Sequence, residues 1–292
     1  MPLRKREHYG SEPRLLVQLE IEYDNGHIQT VVTDKTWKAI YGPLLESDFL
    51  MGEIYDARKE MPGWDTFRFD DSAWHTVAVT DTQHLIEAIR KKDWHLSTGF
   101  VGLSYLVPTL TQTGHLDIAY RLLNNDTFPS WGYSIKNGAT TIWERWDDWT
   151  EEKGFQTPGM NSFNHYAFGS IGRWLFGTVA GIETDGPGYK RIIIRPMPGG
   201  ELEYARASYK SIHGKIVSDW RIKGSMFTLN VTIPANTTAT VYVPAGDIES
   251  VTEGGRPAAK AGAVSLLRME NDRGVFAVGS GQYRFVSKLP DY

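Results

Sequence analysis

The chain has 292 residues, 41% hydrophobic and 12% aromatic, enough to bury a sizeable core and to fill two or three domains. Its 31 Lys and Arg and 35 Asp and Glu give a formal charge of -4 and are mixed along the chain, so no basic run is available to neutralise phosphates and nucleic acid is not expected as a partner. Cysteine is absent, which rules out disulfides, thiolate metal sites and a cysteine nucleophile. No apolar stretch reaches the roughly 18 residues of a membrane span, because Asn164, His165 and Arg173 interrupt the longest one. The start MPLRKREHYG is basic but has no apolar region after it, and the expected location is cytoplasmic.

Residues 14 to 33 alternate Leu15, Val17, Leu19 and Ile21 with more polar neighbours, then turn at Asp24-Asn25-Gly26 into a second alternating run, the pattern of a β-hairpin. Trp37, Pro43, Gly63-Trp64-Asp65 and Asp70-Asp71-Ser72 punctuate short runs after it, so residues 11 to 79 read as an all-β module. From Asp81 the period changes. Leu85, Ile86 and Ile89, then Leu116, Ala119, Tyr120, Leu122 and Leu123, recur at helical spacing. Residues 129 to 161 read as a polar, aromatic loop region, and residues 164 to 181 as a helix apolar nearly all round, which calls for neighbours on several sides. After Gly186-Pro187-Gly188 the chain returns to strands in RIIIR, FTLNVTI and ATVYV, with the Ala/Gly/Pro patch 254 to 262 as a loop. The expected fold is therefore mixed α and β and multidomain, divided as 1–80, 81–185 and 186–292.

The densest candidate for chemistry is Ser130 to Trp149, SWGYSIKNGATTIWERWDDW, with four tryptophans, one tyrosine and three carboxylates in twenty residues. Indoles stack on the apolar faces of pyranose rings, and carboxylates and amides take their hydroxyls, so this composition suggests sugar binding; a Trp-rich core with solvated acids at its edge would look the same. Glu144 lies between Trp143 and Trp146, where apolar neighbours would tend to raise a carboxyl pKa as they do at glycosidase acids and bases. Asp147, Asp148, Glu151 and Glu152 read as a solvated acidic patch. His165 either donates to a hydroxyl or satisfies a helix end. There is no GxGxxG, P-loop, HExxH or GxSxG, so neither a cofactor nor a metal is expected.

The stretch DWHLSTGFVGLSYLVPTLTQTGHLDIAYRLLNNDTFPSWGYSIKNGATTIWERWD, followed by SFNHYAFGSIGRWLF, resembles the bacterial α-L-rhamnosidases of glycoside hydrolase family 78. The signatures HLSTGFVG from His95, PSWGY from Pro129, GATTIWERW from Gly138 and SFNHYAFGS from Ser162 stand in the family's order. Residues 13 to 75 look like an N-terminal β module of these enzymes, and YKRIIIRPMPGG with GKIVSDWRIKG like their closing β-sandwich. The resemblance implies part of an (α/α)6 barrel flanked by β-sandwich-like domains, and inverting hydrolysis of terminal L-rhamnosides. It places Glu144 as the general base, His165 as a sugar contact, and Trp131 and Trp143 in stretches that line the pocket. Only residues 81 to 185 lie where the family holds a whole barrel, and no motif for its general acid is found. An inverting glycosidase needs two carboxyl groups, so three readings follow: a rhamnosidase whose missing helices come from a partner chain, an inactive or sugar-binding remnant, and an interaction module whose orphaned helices self-associate. The helix carrying Trp174 and Leu175 is expected to be poorly covered in a monomer.

Overall fold

In the computed structural model the described residues are 15, 17–48, 52–77, 82–157, 159 and 161–290. They fall into two units, Met1–Asp81 and Thr82–Tyr292. The expected boundary at 80 and 81 lies outside the described residues, as does the basic N-terminal stretch.

The first unit holds the strands β1 (Gln18–Glu22), β2 (Ile28–Val32), β3 (Lys38–Ala39), β4 (Leu44–Asp48), β5 (Gly52–Tyr55) and β6 (His75–Thr76). They pair antiparallel as three two-stranded ladders, β1 with β2, β3 with β6 and β4 with β5. The first ladder is the hairpin that the alternation calls for. Its turn closes as Tyr23 N–H donates to His27 O at 2.9 Å, while Asn25 Oδ1 accepts from His27 N–H at 2.9 Å. No hydrophobic side chain among this unit's described residues is buried, and Leu19, Ile28 and Ile54 stay more than half exposed.

The second unit begins with the helices α1 (Thr82–Lys91), α2 (Phe100–Gln112), α3 (Leu116–Asn124) and α4 (Trp131–Lys136). In α1, Ile86 and Ile89 are buried, and in α2 Leu103, Leu106, Val107 and Leu110 are, which is the three-and-four spacing of an inward face. The helix α4 lies inside the stretch read as loop. Ser130 caps it by accepting from Tyr133 N–H at 3.0 Å, and Gly132 lets it close on α3, since a Cβ there would fall 2.4 Å from Asn125 O. The short ladder β7 (Trp149–Thr150) and β8 (Gly154–Phe155) follows.

The apolar stretch 164 to 181 is not one α-helix. A 3-10 turn, Ala167–Ser170, leads into α5 (Ile171–Trp174), which widens into a π-helical turn, Leu175–Val179. Asn164 and His165 stay outside, because Ser162 Oγ accepts from Asn164 N–H at 3.2 Å and His165 N–H is spent on Ile142 O at 2.8 Å. Trp174 is also not exposed as expected. It is 3% accessible, donates its indole N–H to Thr111 Oγ1 at 2.8 Å and meets Tyr120 edge-on at 5.1 Å. Helices α2 and α3 cover it, but Phe176, two residues further on, is 46% exposed, so the segment is covered at Trp174 and open at Phe176; Val101, Tyr105, Ile135 and Tyr166 are exposed as well.

Beyond it come β9 (Ile182–Thr184), β10 (Arg191–Ile194), β11 (Tyr204–Ser211), β12 (Gly214–Lys223), β13 (Met226–Ile233) and β14 (Thr238–Pro244). Then follow β15 (Thr252–Glu253), β16 (Arg256–Pro257), β17 (Val264–Met269), β18 (Arg273–Val278) and β19 (Gly281–Lys288). One sheet runs β17-β18-β14-β10-β9 and the other β11-β12-β13-β19-β15-β16, with β10 and β14 parallel and the other pairs antiparallel. Alternate residues point inward, so Phe227, Leu229, Val231 and Ile233 of β13 are buried together, and Phe276 and Phe285 meet across the sheets at 5.5 Å. The patch read as a loop instead forms the β15–β16 hairpin and a 3-10 turn, Ala258–Lys260. Trp220 donates to Val179 O at 2.7 Å and Ser218 to Ala180 O at 2.6 Å, which ties this β region to the π-helical turn.

Candidate functional site

Glu144 and His165 are brought together by two backbone bonds between the segments that carry them. Glu144 N–H donates to Ser162 O at 2.9 Å and His165 N–H to Ile142 O at 2.8 Å. Thr141 Oγ1 adds a third link by donating to Phe163 O. GATTIWERW and SFNHY, with residues 147–161 between them, therefore run side by side.

Glu144 is half-buried, and among the described residues its carboxylate has no hydrogen bond or ion pair. The adjacent cation does not neutralise it, because Arg145 is bound through Nε and Nη2 to the two oxygens of Asp147, each at 3.0 Å. A carboxylate so placed keeps its lone pairs for a proton.

His165 is fixed more tightly. Its Nδ1 accepts from Ala167 N–H at 3.3 Å, so that nitrogen is bare and the ring proton sits on Nε2. The ring lies against Phe100 at 4.8 Å and Tyr166 at 5.5 Å, near-parallel to both. Nε2–H has no partner among the described residues and is available as a donor.

The tryptophans form an apolar wall. Trp131 donates its indole N–H to Phe168 O at 3.0 Å, meets Trp146 edge-on at 5.6 Å, and Trp146 stacks on Phe168 at 4.0 Å and 9°. Trp143 packs edge-on against Phe163. Trp131, Ile142, Trp143, Arg145, Trp146 and Phe168 are among the walls of a cavity of about 280 Å³. Glu144 and His165 are not among those walls, and Trp131 and Trp143 are themselves only 8% and 7% accessible.

The acidic patch is not uniformly solvated. Glu151 and Glu152 are exposed, Asp147 is engaged with Arg145, and Asp148 is 0% accessible. Asp148 Oδ2 accepts from Arg145 N–H at 3.1 Å, while Oδ1 is buried with no hydrogen-bond partner among the described residues. Burial pushes its carboxyl pKa above the ordinary value, against the pull of the Arg145 and Glu144 backbone N–H groups. Two adjacent aspartates normally signal a wet surface, and the only hint of burial was their position between Trp146 and Trp149. Phe100 and Phe168, which pin the histidine and the indoles, had no local signal either. Among the described residues no three His, Asp or Glu side chains come together as a metal site.

Three family models match the chain in succession: the alpha-L-rhamnosidase N-terminal domain over residues 2–93, the bacterial alpha-L-rhamnosidase 6 hairpin glycosidase domain over 72–179, and the bacterial alpha-L-rhamnosidase C-terminal domain over 181–257. An alpha-L-rhamnosidase of Streptomyces avermitilis is 49% identical over 203 residues, 69% of this chain and 19% of that protein. The crystal structure of the Streptomyces avermitilis alpha-L-rhamnosidase complexed with L-rhamnose superposes with a TM-score of 0.65 at 48% identity, over 70% of this chain and 19% of that one. That of the alpha-L-rhamnosidase from Dictyoglumus thermophilum gives 0.61 at 34% identity, over 71% and 23%. The helices and the Trp-walled site thus fall in a six-hairpin glycosidase segment followed by a β-rich domain, a mixed α and β, multidomain architecture. The chain belongs to the bacterial α-L-rhamnosidase family, and it spans about a fifth of the length of the relatives it matches.

Proposed function

We propose that this chain carries the water-activating side of an α-L-rhamnosidase site, acting on glycosides with a terminal L-rhamnose and inverting the anomeric centre. The observation that carries this reading is the pairing of the segments that carry Glu144 and His165, through the Glu144–Ser162 and Ile142–His165 backbone bonds. Glu144, with no cation bound to it among the described residues, takes a proton from the attacking water as the water oxygen bonds to the anomeric carbon, and His165 Nε2–H donates to a sugar hydroxyl. Trp131 and Trp143 belong to the apolar wall beside them, which suits the C–H face of a pyranose. We further propose the division 1–80, 81–185 and 186–292, with the middle part supplying one portion of the barrel.

The glycosidic C–O bond also has to break, and its oxygen needs a proton from a second carboxyl group about 6.5 to 9.5 Å from the base. Asp148 is buried and Asp147 is held by Arg145, so neither is placed to serve. In this reading the acid comes from further helices on a partner chain, and the isolated chain turns over only substrates whose leaving group departs as a stable anion. The same observation favours a second reading, a module that binds L-rhamnose without turnover. Hydrolysis of p-nitrophenyl α-L-rhamnoside by the wild type and by Glu144→Gln separates them. Slow release of β-L-rhamnose that disappears in the variant supports the first reading. No release together with an L-rhamnose-dependent rise in Tm supports the second, and neither effect would overturn both.

A further inference from the structure

Asp148 is a buried carboxyl group that the roles of Glu144 and His165 leave unused. It closes the turn directly after Glu144 in two ways: Oδ2 accepts from Arg145 N–H at 3.1 Å, and Asp148 N–H donates to Arg145 O at 3.4 Å. Its carbonyl faces the opposite segment, accepting from Gln156 N–H at 2.9 Å and from Asn161 Nδ2 at 3.5 Å. That segment then reaches Ser162, whose carbonyl receives the Glu144 N–H. Asp148 thus joins the turn that aims Glu144 to the strand of chain that holds it.

Solvation does not explain an aspartate here. The side chain is 0% accessible, and both Asp148 Oδ1 and Asn161 Oδ1 are buried acceptors with no hydrogen-bond donor among the described residues. An unmet buried acceptor is destabilising, and an apolar residue would avoid that penalty. What an apolar residue cannot do is accept the Arg145 N–H. A role as the missing acid is also excluded by geometry, since a group with no accessible surface, absent from the cavity walls, cannot reach a leaving oxygen.

We propose that Asp148 is a positioning residue for Glu144, holding the Arg145 amide so that the backbone carrying Glu144 stays paired with the Ser162 segment. This rests on the reading of Glu144 as the base.

The test uses the whole chain with Asp148→Ala and Asp148→Asn, read by amide hydrogen exchange at Glu144 and Gln156, with Phe227 and Leu229 of β13 as references. Asn keeps an oxygen for the Arg145 N–H and Ala does not. In Asp148→Ala, exchange at Glu144 and Gln156 should quicken about tenfold or more while the β13 amides hold, the loss expected for one hydrogen bond. Asp148→Asn should restore wild-type exchange within about threefold. Unchanged exchange at Glu144 in Asp148→Ala, or an equal rise at all four amides, would overturn the proposal. If Asp148→Ala does not fold, Asp148→Asn decides alone: wild-type protection at Glu144 supports it and lost protection overturns it. L-rhamnose titration of the same proteins, followed by tryptophan fluorescence, should give about tenfold weaker binding for Ala and near wild-type binding for Asn. A wild type that ignores L-rhamnose would count against the base reading, while the exchange data would still decide whether Asp148 holds the turn.

Discussion

The ring of Tyr120 occupies the space that a side chain on Gly199 would need: a Cβ there would lie 2.6 Å from two ring carbons. The same ring faces Gly200, at φ +59, and the Tyr120 hydroxyl donates to Met197 O at 2.7 Å. Helix α3 is thereby keyed to the Pro196–Gly200 stretch that precedes β11, and the buried phenol, 1% accessible, has its pKa pushed up by burial. Gly199→Ala should destabilise the second unit by about 1 to 3 kcal/mol, the usual cost of overpacking a filled core. Thermal unfolding checks this, and an unchanged Tm would mean that the ring can swing aside.

Trp174 supplies a second stability prediction. Its indole is sealed by Tyr120 and donates to Thr111 Oγ1, so truncation leaves a cavity and removes that hydrogen bond, while the Thr111 hydroxyl keeps its bond to Val107 O at 2.8 Å. Trp174→Ala should cost about 3 to 5 kcal/mol, whereas Tyr166→Ala, removing a ring that is 88% exposed, should cost far less. Equal losses in denaturant titrations would show that Trp174 is not held as described.

The contrast between those residues marks where sequence reading succeeds. Strands such as Met226–Ile233 and the hairpin around Asn25-Gly26 were legible because a period of two and a turn dipeptide are local properties. The proximity of Glu144 and His165 was legible only through motifs shared with a family. The cover over Trp174 was not, because it comes from Thr111 and Tyr120, far away in the chain, and the helical spacing that marks Tyr120 as inward does not say what it meets. The burial of Asp148 was missed for a related reason: its setting depends on Asn161 and Gln156, which read as ordinary loop residues.

Asp148 also predicts a pH dependence. Its pKa is raised in the folded state, so the folded chain binds a proton more tightly than the unfolded chain does. The stabilisation from that proton is fully present below the unfolded carboxyl value, and it is lost as pH rises through the raised folded value. Asp148→Asn cannot ionise and escapes the loss. The Tm of the variant minus that of the wild type should therefore grow from acid towards neutral pH, and a difference that is flat or shrinks over that range would contradict it.

His165 gives the sharpest prediction about the site, because its ring does two separable things. The faces pack on Phe100 and Tyr166, and the edge presents Nε2–H because Nδ1 already accepts from Ala167 N–H. Phenylalanine keeps the faces and lacks the donor, whereas glutamine reaches about as far and keeps an N–H. One hydrogen bond is worth about 0.5 to 1.5 kcal/mol net, so His165→Phe should bind L-rhamnose roughly 3- to 10-fold more weakly, with a smaller fall in Tm than His165→Ala, since both lose the acceptor for Ala167 N–H but only Ala loses the ring packing. His165→Ala should weaken binding as much and lower the Tm further, since it leaves Phe100 and Tyr166 without their shared partner. His165→Gln should recover part of the affinity. Binding by His165→Phe as tight as wild type would mean that the ring only fills space and that the sugar-contacting donor lies elsewhere.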